Sequence, residues 1–194
     1  STMPQPVREV AVVTSLATVH GISGMQYRTH TDGGLNTILI LLARSGIGKQ
    51  HMHKAIGQLR KLLAERVPGA DAFFSGDDHK SGPAYAKAMI ALTGVEIKDR
   101  ADFVKGHGSQ VNVMPELGKA IREMADKSNP AMTSLRVGFT RGYSQSDRDT
   151  VPFAINYSNQ RMLMPCGFAY TLAGEGTPSD VYSSLTTDMA DDGF

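Results

Sequence analysis

A single cysteine, Cys166, and no tryptophan occur among the 194 residues. One thiol excludes an intrachain disulfide framework and fits a reducing compartment. With no electropositive setting around it, Cys166 reads as a small buried hydrophobe and not as a reactive nucleophile. No apolar stretch reaches the roughly 18 residues of a membrane span, and residues 1–20 lack the charged start and small-residue cleavage site of a signal peptide. The expected location is the cytoplasm. Charge of one sign is lacking too: twenty basic against nineteen acidic residues leave a net charge of +1. No global field therefore marks the chain as a nucleic-acid or membrane-surface binder, while a local basic patch stays compatible.

Repeats and low-complexity tracts are absent as well. What is present is an ordinary balance, 41% hydrophobic and 20% charged, which over this length specifies one domain with a real core. The expected unit is a single domain over 1–194. The closing "DDGF" follows a helix-like segment with no closing structure, as in a piece cut from a longer chain.

Strand-like and helix-like segments alternate. Residues 6–20 place Val7, Val10, Ala11 and Ala17 at helical spacing, and Gly21 with Gly24 are expected to stop that helix. The run 35–42 reads as a strand buried on both faces. From Lys49 to Val67 a stripe of Met52, Ile56, Leu59, Leu63 and Val67 predicts an amphipathic helix, ended by Pro68-Gly69. "DAFF" at 71–74 suggests a short strand, and Ser81-Gly82-Pro83 opens a helix carrying Tyr85, Met89 and Leu92. Val111–Met114 reads as a strand, followed by a helix with Leu117, Ile121 and Met124. Residues 142–150 read as a polar loop, and 151–157 and 161–174 as strands. Thr177-Pro178-Ser179-Asp180 has the form of a helix cap, with the helix running through Met189. Strands separated by helices of this length predict an α/β fold, a mostly parallel sheet with helices on both faces.

The stretch "LNTILILLARSGIGKQ" carries the most chemistry. Ala43, then Arg44, Ser45, Gly46 and Ile47, then Gly48-Lys49 fill every place of a phosphate-binding loop except the last, where Gln50 replaces Ser or Thr. Glycines let the backbone curl and aim its N–H groups at phosphate oxygens, and a lysine neutralises the outer phosphates. A helix starting near Lys49 adds its positive end. The bland alternative is a Gly-rich turn with an exposed lysine. Gln50 weakens any Mg²⁺ site, since a glutamine carbonyl is a long, floppy donor for a cation that demands octahedral geometry.

Nucleotide hydrolysis also needs an acidic pair at a neighbouring strand end. "VNVMPELG" is the best match, with Glu116 placed to orient water and Pro115 standing where a metal-binding acid is wanted. Glu116 reads equally as a helix-start acid favoured by the dipole. Asp77 and Asp78 are the remaining metal candidates, or else a solvated turn or cap. Glu175 and Thr177, ending the long strand, are placed to sense an outer phosphate, although Thr177 also suits a cap.

Taken in order, "YRTHTDGGLNTILILLARSGIGKQ", "SGDDHKSGPAYAKAM", "VNVMPELGKAI" and "LAGEGTPSDVYSSLTTDMADDGF" resemble a largely uncharacterised P-loop ATPase-like family of phages and integrated elements, often found beside primase and helicase modules. The resemblance implies a RecA-like P-loop NTPase fold, a three-layer sandwich. It implies an ATP-binding domain serving DNA replication of a mobile element in the host cytoplasm. ATP, with Mg²⁺ if hydrolysis survives, is the implied cofactor, and DNA and further copies of the chain are the implied partners. Lys49 and Gly48 match the family's phosphate-binding positions and Glu116 its water-orienting acid. Gln50 and Pro115 depart from it. The alternative is a degenerate, non-hydrolysing P-loop fold acting as a binding or assembly module.

Three other readings carry less. His51 and His53, two apart on a helix, point to different faces, and with no Cys or Glu at supporting spacing a zinc site is rejected. "GHGS" at 106–109 lacks the strand-to-helix elbow of a serine nucleophile. Arg136, Arg141, Arg148 and Arg161, interleaved with Phe139, Tyr143 and Tyr157, form either a surface for single-stranded DNA or a solvated face over core aromatics.

Overall fold

The computed structural model describes residues 7–93, 108–144, 146–147, 167–191 and 193, and the backbone alone of 154–156 and 161–163. Cys166, His107, Arg148 and Tyr157 lie outside these residues, as does the side chain of Arg161. At the centre is a four-stranded sheet in which every neighbouring pair is parallel. Its order is β1 (Ile38–Leu42), β6 (Ala169–Gly176), β3 (Ser109–Met114) and β2 (Phe74–Ser75). A separate antiparallel hairpin joins β4 (Ala154–Asn156) to β5 (Arg161–Leu163).

Helices cover both faces, as the alternating pattern requires. On one face lie α1 (Arg8–Ser23) and α2 (His51–Arg66), whose Val10, Ala17, Met52 and Ile56 pack with Phe73, Val111 and Ala173. On the other lie α3 (Gly82–Thr93), α4 (Leu117–Ala125), α5 (Pro130–Ser144), α6 (Pro178–Ser184) and α7 (Thr187–Asp191). Tyr85, Met89, Leu117, Ile121, Met124, Leu135, Phe139, Val181 and Met189 close that face over Tyr170 and Leu172. No helix among the described residues is long and apolar enough to cross a membrane.

Several elements differ from the sequence expectation, each for a physical reason. Helix α1 does not stop at Gly21. It runs to Ser23 and ends at Gly24, the other expected stop, while Gly21 lies inside the helix against the sheet: a Cβ there would stand 2.5 Å from the Val111 Cβ. Strand β1 is not buried on both faces. It is an edge strand, with Leu41 buried and Ile38 and Ile40 exposed at the rim of an apolar cavity of about 260 Å³. In α2 only Met52 and Ile56 of the predicted stripe are buried. "DAFF" forms a short 3₁₀ turn, Ala70–Phe73, and only Phe74–Ser75 extends, since the strand needs no more length to meet β3 at Val111 and Asn112.

Helix α5, not anticipated, absorbs the start of the expected loop 142–150. The expected strand 161–174 is two: β5 and β6, the second an interior strand of the sheet buried along its whole length. The closing helix breaks at Leu185-Thr186 into α6 and α7.

Candidate functional site

Because all four strands run the same way, their carboxyl ends share one edge of the sheet. The segments that follow them, 43–50, 76–81, 115–116 and Thr177, meet there, and ligands of open α/β sheets bind beyond such strand ends. Ala43, Ser45, Gly46, Ile47, Gly48, Lys49 and Gln50 follow the end of β1 and Glu116 the end of β3, so they lie at this one edge.

The loop after β1 is anchored where it starts, by the Ala43 N–H donating to the Gly176 carbonyl at 3.1 Å. Gly46 and Gly48 both sit at φ +85°, a left-handed backbone that side chains resist, so these two glycines make the curl possible. Among the described residues, no hydrogen bond holds the N–H groups of Arg44 to Gln50. Helix α2 then begins with the His51 N–H and the Met52 N–H donating to the Gly48 and Lys49 carbonyls. The His51 ring reinforces that turn, its Nδ1 standing 2.6 Å from the Gly48 oxygen. Lys49 is half-buried and Gln50 exposed, with no capping bond from the Gln50 side chain.

Glu116 is one of two described non-glycine residues with positive φ, at φ 55° and ψ 43°. It is the N-cap residue of α4, and its side chain makes no capping bond. A left-handed backbone costs such a residue about 1–2 kcal/mol, and strain of this kind gathers where function fixes a residue. Together with Asp77, Asp78, Lys80, Lys119 and Glu123 it lines a cavity of about 300 Å³ at the ends of β2 and β3. Asp78 is engaged there: Lys80 Nζ lies 2.6 Å from its Oδ2 and 3.8 Å from Glu123 Oε2. The Asn112 amide donates to the Asp77 carbonyl at 2.9 Å and so ties the turn after β2 to β3.

Gln50 offers one exposed amide, Pro115 offers no side-chain donor, and no trio of His, Cys, Asp or Glu converges among the described residues.

Other predicted residues take structural places. Thr177 caps α6, accepting the Asp180 N–H at 3.3 Å and donating to the Asp180 carboxylate at 2.6 Å. Arg136 and Phe139 are buried, so they present no nucleic-acid surface, while Tyr143 is exposed. Ser109 of "GHGS" is buried and donates to the Gly21 carbonyl at 2.8 Å.

The residue pair that sequence spacing missed is His53 with Glu175. The two histidines do diverge, and His53 turns under the first turn of α2, where its Nε2 stands 3.6 Å from Glu175 Oε2. Glu175 is almost fully buried at the end of β6. Burial pushes the His53 imidazole below its ordinary pKa of 6.5, with the Glu175 carboxylate opposing. In comparisons with known proteins, no family, no curated protein and no solved structure matches this chain.

Proposed function

We propose that the chain binds ATP by its phosphates at the loop 43–50 and couples that binding to work on DNA in the replication of a phage or mobile element. The observation that carries the nucleotide reading is the loop itself: a curl of unspent N–H groups held open by Gly46 and Gly48, with Lys49 beside it and a helix starting from it. The loop belongs to β1 and Glu116 to β3, with β6 between them. Two strand spacings, about 10 Å, leave room for a phosphate tail and a water between Lys49 and Glu116. In this reading Lys49 neutralises the outer phosphates and Glu116 orients water. The link to DNA rests on the family resemblance and on no other feature.

A second reading, a non-hydrolysing binding or assembly module, is favoured by one observation: Gln50 and Pro115 remove metal ligands, and Lys80 occupies Asp78. Fluorescent ATP binding to wild type and Lys49→Ala, with and without Mg²⁺, tests the first reading and separates the two. Loss of a charge-assisted contact worth about 1.5–3 kcal/mol weakens binding roughly 10- to 100-fold in the variant. No binding by wild type would remove the nucleotide reading, and equal binding by both proteins would remove the loop as its site. Phosphate release that falls in Glu116→Gln while binding holds assigns hydrolysis to Glu116, and binding without any release assigns the module.

A further inference from the structure

The two edges of the central sheet are built differently. At one, β2 is only two residues long and is followed by Asp77 and Asp78, a short and charged ending of the kind that keeps strand edges from pairing. At the other, β1 runs for five residues, Ile-Leu-Ile-Leu-Leu, with no charge, proline or glycine. Its hydrogen bonds fix which way each residue faces. The Thr37 carbonyl accepts from the Leu172 N–H at 2.9 Å, and the Ala43 N–H donates to the Gly176 carbonyl at 3.1 Å, so the odd-numbered residues turn their backbone groups toward β6. The N–H and C=O groups of Ile38, Ile40 and Leu42 therefore point away from the sheet, and none of them has a partner among the described residues.

Apolar surface lies beside these free groups. Ile38 and Ile40 share the rim of the cavity of about 260 Å³ with Tyr143 and Leu185, and each of the four is between 39% and 53% exposed. An unpaired, uncharged strand edge and a contiguous apolar rim both mark a surface that another chain covers. We propose that a second copy of this chain covers it, the two β1 strands pairing antiparallel about a twofold axis at Ile40 and joining two four-stranded sheets into one.

The strand is complementary to itself in that register. Ile40 faces its own equivalent and Ile38 faces Leu42, each a hydrogen-bonded pair, so six backbone bonds form and every free group of the strand is matched. No charge lies within the paired strands, and Arg44, the first charge beyond them, falls opposite Asn36 of the second copy and not opposite its own equivalent. The side chains of Ile38, Ile40 and Leu42 share one face, so the rows from both copies lie side by side at the two cavity rims. The uncovered part of the four rim side chains is on the order of 400 Å² per copy. Doubled by the symmetry, and with the paired backbones added, it reaches the roughly 1,000 Å² that a biological interface needs. The inference goes beyond nucleotide binding and stands without it.

Sedimentation velocity of wild type, with no nucleotide present, is expected to show monomer giving way to dimer as concentration rises. Ile40→Lys places two ammonium groups together on the axis and is expected to raise the dimer dissociation constant at least roughly tenfold. Hydrogen exchange of the wild type locates the contact without any substitution, and decides the matter should the variant unfold. The amides of Ile38, Ile40 and Leu42 are expected to exchange as open groups in dilute monomer and to become protected in the dimer. A chain that stays monomeric up to about 1 mM, a dimer in which those three amides stay open, or a folded Ile40→Lys variant that dimerises as tightly as wild type overturns the proposal. Failure of ATP binding leaves these results untouched, so the two proposals fall separately.

Discussion

Glu116 holds its backbone in a left-handed conformation while its side chain caps nothing. Glycine takes that conformation freely, so Glu116→Gly is expected to raise stability by about 1 kcal/mol, read from urea denaturation, and to abolish any phosphate release. A variant less stable than wild type would show that the backbone is not strained there. His79 gives a second residue-scale test. It is buried against Tyr85, Phe139 and Tyr170, with its Nε2 3.2 Å from the Tyr170 hydroxyl. Burial lowers its pKa below the ordinary 6.5, and the carboxylates of Asp77 and Asp78 oppose the shift. The unfolded chain therefore takes up this proton at a higher pH than the folded one. The contribution is fully present above about pH 6.5 and is lost as the pH falls through the lower folded value. Urea midpoints measured between pH 7 and pH 5 should fall less in His79→Gln than in wild type. Residues announce their place only where the signal is local. Gly46 and Gly48 announce their tight turn within a few positions, and Thr177 announces its cap. His53 and Glu175 do not, because only the crossing of α2 over the end of β6 brings them together.

At the scale of elements, the contact of α1 with β3 turns on Gly21. A methyl group at that position would overlap the Val111 side chain and crowd its backbone nitrogen at 2.8 Å. Gly21→Ala is expected to cost about 1–3 kcal/mol in denaturant unfolding, although alanine favours helices; a neutral result would mean that α1 moves freely over the sheet. The same contact explains why α1 was read as ending too early: a glycine that ends a helix and one that lets a helix touch a sheet look alike in sequence. Helix α5 was missed for a related reason. Its Gly138 and Gly142 weaken the helical signal, and both glycines face the Tyr85 ring, where a side chain would be crowded at Gly138 and would collide with the hydroxyl at Gly142. Strand β1 illustrates another loss of information, since an unbroken apolar run does not distinguish an interior strand from an edge strand beside an apolar cavity. By contrast α4 was legible, because Leu117, Ile121 and Met124 recur at helical spacing and all three are buried.

For the whole molecule, a ligand that binds only the folded state raises its stability by mass action. ATP at about 100 times its dissociation constant contributes roughly 2.7 kcal/mol, a rise of about 5–10 °C for a chain of this size. The thermal midpoint of wild type should climb with ATP concentration while that of Lys49→Ala stays flat; parallel curves would place binding away from the loop. The class of fold was legible at this scale because helix and strand periods alternate along the chain. The strand order was not, because pairing partners lie far apart in sequence, as Ile38 with Leu172.

That order has a consequence during synthesis. Strand β6, one of the two interior strands, emerges from the ribosome after β1, β2 and β3, and it joins β1 to β3. Until Ala169–Gly176 has been made, the earlier strands display open edges and the apolar faces of Leu41 and Val111 lack their neighbour. The nascent chain must therefore wait, with aggregation-prone surface uncovered, for its last sheet strand.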